Sequence, residues 1–216
     1  MKKDYTDITV ILDKSGSMST IKDKTIEGFN TFLDEQKKVP GETTISLVQF
    51  DTKVEKTYLG HKLADAPRLT DGDYAPYGWT ALLDAVGGSI NAIGARLHDM
   101  QDDERPERVL VVIITDGMEN SSSEFVNKQI ADMIAHQTSV YKWKFVFIGA
   151  NQDSFATAQE MNIDASSTLN FCATPYGTGR AFAALGEYVS VYRCASKPYD
   201  VAFSAKNRAD NAKATT

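Results

Sequence analysis

Three short segments of the chain are rich in oxygen-bearing side chains of the kind that bind hard divalent cations. Asp13, Ser15 and Ser17 alternate along the first segment, Thr80 lies in the second and Asp116 in the third. The set offers two carboxylates and three hydroxyls, and Mg²⁺ and Mn²⁺ prefer such oxygen ligands. Alternate residues of an extended turn can point the same way. We therefore treat these five side chains as a candidate metal site.

Because the three segments are far apart in sequence, the fold must bring them together. Apolar β-rich runs alternate with longer stretches of helical periodicity, which is typical of a parallel sheet with helices on both faces. The predicted strands are residues 8–12, 43–50, 53–59, 108–115, 144–149 and 168–171. The predicted helices are residues 20–38, 81–97, 123–136, 154–161 and 178–193.

The strand pattern specifies the fold class further. The apolar run at residues 109–114 is continuous, as expected for a strand that is buried on both faces. The hairpin within residues 43–59 would place one antiparallel strand at an edge. We therefore predict a Rossmann-like α/β fold, a doubly wound and mostly parallel sheet of about six strands. Ligands of such sheets bind outside the carboxyl ends of the strands, here after Leu12, Ile114 and Ile148.

The candidate metal residues carry a resemblance to a known family. The metal-ion-dependent adhesion site of von Willebrand factor A domains is similar to three segments of this chain, namely Asp13-x-Ser15-x-Ser17, Thr80 and Thr115-Asp116-Gly117. The resemblance covers roughly residues 5–195 and is closest in kind to stand-alone bacterial or phage domains.

The resemblance implies a ligand set and a partner. Ser15, Ser17 and Thr80 would bind the metal directly, with Asp13 and Asp116 in a supporting or switching role. Mg²⁺ is the expected ion, because Ca²⁺ usually recruits more carboxylate and carbonyl oxygens, although Mn²⁺ and Ca²⁺ stay open. An Asp or Glu carboxylate of a partner protein would complete the coordination of the ion.

Composition and charge argue against several classes of function. The chain of 216 residues contains 23 Lys and Arg against 29 Asp and Glu, a formal net charge of −6. Non-specific nucleic-acid binders and polybasic membrane anchors need a basic surface, so neither nucleic acid nor membrane is an expected partner. No apolar stretch of the kind found in signal peptides follows the charged N-terminus. Cys172 and Cys194 do not make a disulfide framework, so we expect a cytoplasmic protein with reduced thiols.

The domain organisation is predicted to be simple. Residues 1–203 should form a single von Willebrand factor A-like domain, because no repeat, low-complexity block or long linker interrupts them. Residues 204–216 are polar and lack large apolar side chains. A flexible polar tail is therefore expected there.

Each piece of the candidate site also has a simpler interpretation. Ser17 could cap the first helix and Asp116 could end a turn, although capping and metal ligation can coexist.

An aspartyl phosphotransferase would also place an Asp after the first strand, but it needs a second acid where this chain has Ser15. No Gly-x-Ser-x-Gly segment or phosphate-binding Gly-rich motif is present. Gly177-Thr178-Gly179 precedes the last predicted helix and could bind an anion, but a simple turn into that helix is the expected interpretation. The histidines lie in polar contexts typical of the surface, namely His61, His98 and His136.

The loop before Thr80 is unusually aromatic. Tyr74, Tyr77 and Trp79 lie within it, and two interpretations stay open. Exposed aromatic side chains beside an open metal position would anchor a partner, whereas buried ones would only pack on the top of the sheet.

The expected function is divalent-cation-dependent protein binding, as an adaptor or assembly domain without enzymatic activity. One alternative is a structural component of a larger assembly, such as a phage or multiprotein particle. The other is a Mg²⁺-dependent phosphohydrolase. Loss of Asp13 would weaken the first and third of these functions and leave the second intact.

Overall fold

A computed structural model describes residues 1–150 and 153–212 and shows a six-stranded sheet with helices around it. The strands are β1 (Lys2–Asp13), β2 (Glu42–Phe50), β3 (Val54–Lys62), β4 (Pro106–Thr115), β5 (Lys144–Ala150) and β6 (Thr168–Phe171). The helices are α1 (Lys22–Gln36), α2 (Leu82–His98), α3 (Asn127–Tyr141), α4 (Ser154–Glu160), α5 (Pro175–Cys194) and α6 (Ala205–Ala212).

The order of the strands confirms the predicted fold class. They are arranged β3-β2-β1-β4-β5-β6, and every neighbouring pair is parallel except β2 with β3. This is the order of a doubly wound sheet, in which the chain leaves β1 first toward one edge and then toward the other. The direction in which successive strands are added to the sheet reverses between β1 and β4, so the carboxyl ends of these two strands are the expected position of a ligand site.

Successive residues of the central strands enter two separate cores. Val112 of β4 packs in one apolar cluster with Phe29 of α1 and Leu185 of α5. Val111 points to the other face and packs in a second cluster with Val86 of α2. All five side chains are fully buried, which explains why the β4 sequence is continuously apolar rather than alternating.

Three helices begin at least two residues from their predicted starts, and one of them is α5, which starts at Pro175 rather than at residue 178. A 3₁₀ helix at Gly16–Ile21 precedes α1, which starts at Lys22 rather than at residue 20. α3 starts at Asn127 rather than at residue 123. The Asp84 carboxylate on α2 accepts hydrogen bonds from the backbone N–H groups of residues 123, 124 and 125, at 2.8–2.9 Å. This contact between distant segments holds them as a loop and leaves no trace in the local periodicity.

Within the segment 204–216, predicted to be a flexible polar tail, residues 205–212 form α6. Arg208 donates hydrogen bonds to the carbonyls of Thr168 at 2.9 Å and Ala165 at 2.7 Å, and Asn207 donates to the Glu187 carboxylate at 2.9 Å. Polar contacts therefore hold α6 in place where large apolar residues are lacking. Residues 213–216 lie outside the described part, and the assignment of residues 1–203 to one domain stays a prediction.

Cys172 and Cys194 are both free thiols, as the sequence predicts. Within residues 1–150 and 153–212, no helix combines the length and the apolar character needed to cross a membrane.

Candidate metal centre

The three predicted segments meet at the carboxyl edge of the sheet. Asp13 ends β1 and Thr115 ends β4, and the Thr115 hydroxyl donates a 2.6 Å hydrogen bond to Asp13 Oδ2. The Ser17 hydroxyl donates to Asp116 Oδ1 at 2.5 Å. Sequence positions about a hundred residues apart are thus in direct contact, because adjacent parallel strands end at the same edge of the sheet.

The first segment folds as a tight turn held by its own carboxylate. Asp13 Oδ1 accepts the backbone N–H of Ser15 at 2.6 Å, and the Ser15 and Ser17 hydroxyls lie 3.2 Å apart. The alternating spacing therefore brings the two hydroxyls together, as predicted. Ser15 is buried whereas Ser17 is exposed, so Ser17 lies on the solvent side of the cluster.

Gly117 marks the point on which the donor oxygens converge. A Cβ atom at Gly117 would lie 3.0 Å from Thr80 Oγ1, 3.5 Å from Ser17 Oγ and 3.7 Å from Asp13 Oδ2. Oxygens from the first two segments therefore surround one small volume beside Gly117 of the third segment, and any larger residue there would fill it. The missing side chain at Gly117 is what leaves room there for a ligand.

The buried carboxylates of the site lack a cationic partner. Asp13 is fully buried and Asp116 is 3% exposed, and neither forms an ion pair with a Lys or Arg within the described ranges. Burial raises the pKa of Asp13 to about 6, against the lowering effect of hydrogen bonds from Thr115 and Ser15. Burial also raises the pKa of Asp116. A bound divalent cation would supply the missing positive charge.

The donor chemistry fits a hard cation held largely by hydroxyl groups. In the part of the chain that the structure describes, no cluster of three or more His, Cys, Asp or Glu side chains could hold a metal. Two carboxylates and three hydroxyls remain the available set at this edge, which suits Mg²⁺ or Mn²⁺ better than a soft metal. The sequence also predicts a ligand position after Ile148, and the segment that follows β5 there includes residues 151 and 152, which lie outside the described residues.

A reciprocal contact fixes Thr80 in the site. The Asn120 side-chain oxygen accepts the Thr80 N–H at 2.8 Å, and the Asn120 N–H donates to the Thr80 carbonyl at 3.1 Å. Glu119 in turn accepts the backbone N–H groups of Ser121 and Ser122, at 2.9 and 2.7 Å. Residues 119–122 follow Asp116 closely in the sequence, but the pairing of Asn120 with Thr80 has no signature in their spacing.

The aromatic loop divides between the two interpretations. Tyr74 is fully buried and its hydroxyl donates to the Asp13 carbonyl at 2.6 Å, so it supports the end of β1. Tyr77 is 81% exposed and Trp79 is 66% exposed. Gly78, between them, has φ +76°, a conformation that favours glycine. The two exposed aromatic residues therefore directly precede Thr80 in the chain.

The other sequence candidates form no second site. His61 packs against the ring of Tyr58, and His136 packs against the ring of Tyr141, while all three histidines are exposed, His98 included. The glycine-containing segment at 177–179 lies inside the first turns of α5, where Thr174 caps the Gly177 N–H at 3.1 Å. These features are accounted for by surface packing and helix capping.

Comparison with known proteins establishes the fold. No family model matches the sequence, and no match is found among curated proteins. Proximal thread matrix protein 1 of the mussel byssus, solved with a zinc-occupied MIDAS motif, has a TM-score of 0.60 at 14% identity, over 86% of this chain and 46% of its own. The chain thus spans less than half of that protein.

Two further solved structures support the same conclusion. The von Willebrand factor domain of the type V pili tip protein Mfa5 from Porphyromonas gingivalis has a TM-score of 0.58 at 11% identity, over 86% of this chain and 95% of its own. The manganese-loaded TRAP protein of Plasmodium vivax has a TM-score of 0.52 at 14% identity, over 80% and 70%. The predicted resemblance to von Willebrand factor A domains is thus confirmed for the fold.

Proposed function

We propose that this chain is a divalent-cation-dependent protein-binding domain, an adaptor or assembly component with no enzymatic activity. The observation that carries the proposal is the convergence of three oxygen donors beside Gly117. The proposed ion is Mg²⁺, with direct ligands and supporting carboxylates from Ser15, Ser17, Thr80, Asp13 and Asp116.

The choice of a divalent cation has two independent supports. Two buried carboxylates without a cationic partner match the charge of one such ion. One protein of the same fold carries zinc and another carries manganese, which supports a divalent ion in general. The preference for Mg²⁺ rests on the abundance of hydroxyl donors and the small number of carboxylates.

An acidic side chain of a partner protein is the proposed outside ligand. When bound, the cation supplies an electrophilic position that a carboxylate can fill. Ser17 lies on the solvent side, so the site is accessible from outside. Tyr77 and Trp79 would exclude water around that contact, which strengthens a charge-assisted interaction.

Calorimetric titration of Mg²⁺ into the metal-free protein tests the site itself. Thr80→Val removes one donor oxygen without changing the volume of this buried side chain, and we expect it to weaken Mg²⁺ binding by at least about tenfold. Thr138→Val, on the exposed surface of α3, is the matched control and should bind Mg²⁺ as the unchanged protein does. Equal binding by both variants would refute the assignment of Thr80.

Affinity capture from extract of the source cells, in Mg²⁺ and again in EDTA, tests the role of the site. A partner that is retained only with Mg²⁺ and is lost with Asp13→Ala supports the adaptor function and identifies the partner. A partner retained equally in EDTA would instead favour a structural assembly component. Turnover of a phosphate ester that disappears with Asp13→Ala would favour the phosphohydrolase.

A further inference from the structure

A second polar groove lies at the end of the sheet opposite to the candidate metal centre. It has a volume of about 490 Å³ and is bounded by the end of α1, the first residues of β1 and β2 and the last residue of β3. Four cationic side chains line this basic groove, whereas Glu42 is the single acidic residue among those that line it. The four are Lys2, Lys37, Lys62 and Arg193.

Arg193 places a permanent positive charge in the wall of the basic groove. Its side chain is 5% exposed and its guanidinium donates to the carbonyls of Gln36 at 2.6 Å and Val39 at 3.0 Å. These carbonyls close the C-terminal end of α1 and would otherwise repel an anion. Arg193 forms no ion pair within residues 1–150 and 153–212. The groove therefore contains a cation that only neutral groups solvate.

An unused hydroxyl also belongs to this groove. Thr43 lines it and is 6% exposed, and its Oγ1 has no hydrogen-bond partner in the described part of the chain. A buried hydroxyl without a partner costs free energy that an incoming acceptor recovers. The hydroxyl and the guanidinium thus favour the same kind of ligand, an anion with several acceptor oxygens.

The lysines at the mouth are available for such a ligand. Lys37 and Lys62 are exposed and form no ion pair in the ranges that the structure describes. Lys37 lies in the field of Asp34, but Asp34 is already paired with Arg68 at 2.7 Å. Lys2 is the lysine that Glu42 neutralises. The mouth is thus locally positive on a chain whose net charge is −6.

The chemistry of the groove favours a peptide over a nucleic acid. None of the residues that line it is aromatic, so it offers no surface for stacking bases. Among the described residues, no α-helix begins there to present free N–H groups to a phosphate, and the 3₁₀ helix Leu63–Asp65 is only three residues long. Val39, Leu63 and Ala64 line the groove beside the cations and would contact the apolar stems of side chains.

We infer that the basic groove docks a carboxylate-rich peptide segment of a protein partner, separately from the metal centre. β1 links the two sites, and its length from Lys2 to Asp13 is about 35 Å. The chain would therefore hold two partners, or two parts of one partner, at opposite ends of its sheet.

Fluorescence anisotropy with a labelled decaglutamate peptide tests the inference on the full chain. EDTA is present throughout, so that the metal centre cannot capture the carboxylates. The Lys37→Glu/Lys62→Glu double variant should bind the peptide about tenfold more weakly than the unchanged protein. The Lys53→Glu/Lys128→Glu double variant makes the same change in net charge at exposed lysines outside the groove and should change the affinity by less than about twofold.

Three results would overturn the inference. Equal losses in the two double variants would mean that only the net charge matters. Full displacement of the peptide by millimolar inorganic phosphate at constant ionic strength would indicate a small-anion site. Tighter binding of oligothymidylate than of decaglutamate would indicate a nucleic-acid surface. Since every arm contains EDTA, failure here leaves the Mg²⁺ titration of the metal centre unaffected.

Discussion

The Asp13→Asn substitution tests whether the buried carboxylate at the end of β1 needs a cation. Burial raises the pKa of Asp13 from 3.8 to about 6. That difference corresponds to about 3 kcal/mol by which the metal-free carboxylate destabilises the fold at neutral pH. Asparagine removes the charge but weakens the hydrogen bonds that Thr115 and Ser15 now donate. We therefore expect a net stabilisation of about 1–2 kcal/mol in EDTA.

The pH dependence of the metal-free protein follows with a definite sign. Between about pH 4 and pH 6 the folded state binds more protons at Asp13 than the unfolded state does. The free energy of unfolding therefore falls as the pH rises through this window and stays level above it. Asp13→Asn removes this contribution, and saturating Mg²⁺ should suppress it in the unchanged protein because the ion competes with the proton.

Urea and thermal unfolding in EDTA and in saturating Mg²⁺ provide the assay. For a chain of this size the stabilisation by Asp13→Asn in EDTA corresponds to a rise in Tm of about 2–8 °C. At a hundred times its Kd, Mg²⁺ should stabilise the unchanged protein by about 2.7 kcal/mol and the variant by almost nothing. The order of stability thus reverses between the two buffers. Destabilisation by Asp13→Asn in EDTA, or an equal response of both proteins to Mg²⁺, would refute the reasoning. Asp103→Asn, at an exposed loop position, is the control.

Two further perturbations are expected to separate the metal centre from the rest of the fold. Gly117→Ala puts a methyl group 3.0 Å from Thr80 Oγ1, so the Mg²⁺ affinity measured by calorimetry should fall at least about tenfold. The free energy of unfolding in EDTA should change by less than about 1 kcal/mol. Unchanged affinity would mean that the ion binds elsewhere. Arg208→Ala removes the hydrogen bonds to Thr168 and Ala165, so amide exchange in residues 205–212 should accelerate about tenfold or more without any change in Mg²⁺ binding. Unchanged exchange would mean that other contacts hold α6.

The elements that sequence analysis predicts correctly are those whose signal is local. The continuous apolar run of β4 and the alternation of strands with helices specify a doubly wound sheet, and that topology brings Asp13 and Asp116 to one edge. The observed convergence of the donors follows from the same rule, because ligand sites lie at the carboxyl ends of parallel strands. The motif alone could not show that Gly117 faces the shared volume.

The features that sequence analysis misses depend on contacts between distant segments. Asp84 of α2 delays the start of α3, and Arg208 connects α6 to residues 40 and 43 positions away. Neither contact produces a periodicity, since single polar side chains make it. Tyr74 is a similar case, because its buried hydrogen bond to the Asp13 carbonyl distinguishes it from its exposed aromatic neighbours, and composition cannot make that distinction.

The charge distribution has a consequence for how the two proposed sites would work together. Carboxylates without a cation lie at one end of β1, and cations with few carboxylates lie at the other. The two ends are about 35 Å apart along the strand, several times the screening length of about 8 Å at physiological salt. Direct electrostatic coupling is therefore negligible, and β1 is rigid because it is hydrogen-bonded on both sides by β2 and β4. The losses of binding free energy caused by Asp13→Ala at one end and by Lys37→Glu/Lys62→Glu at the other should consequently be additive. Such additivity is expected of a domain that joins two partners without transmitting a signal between them.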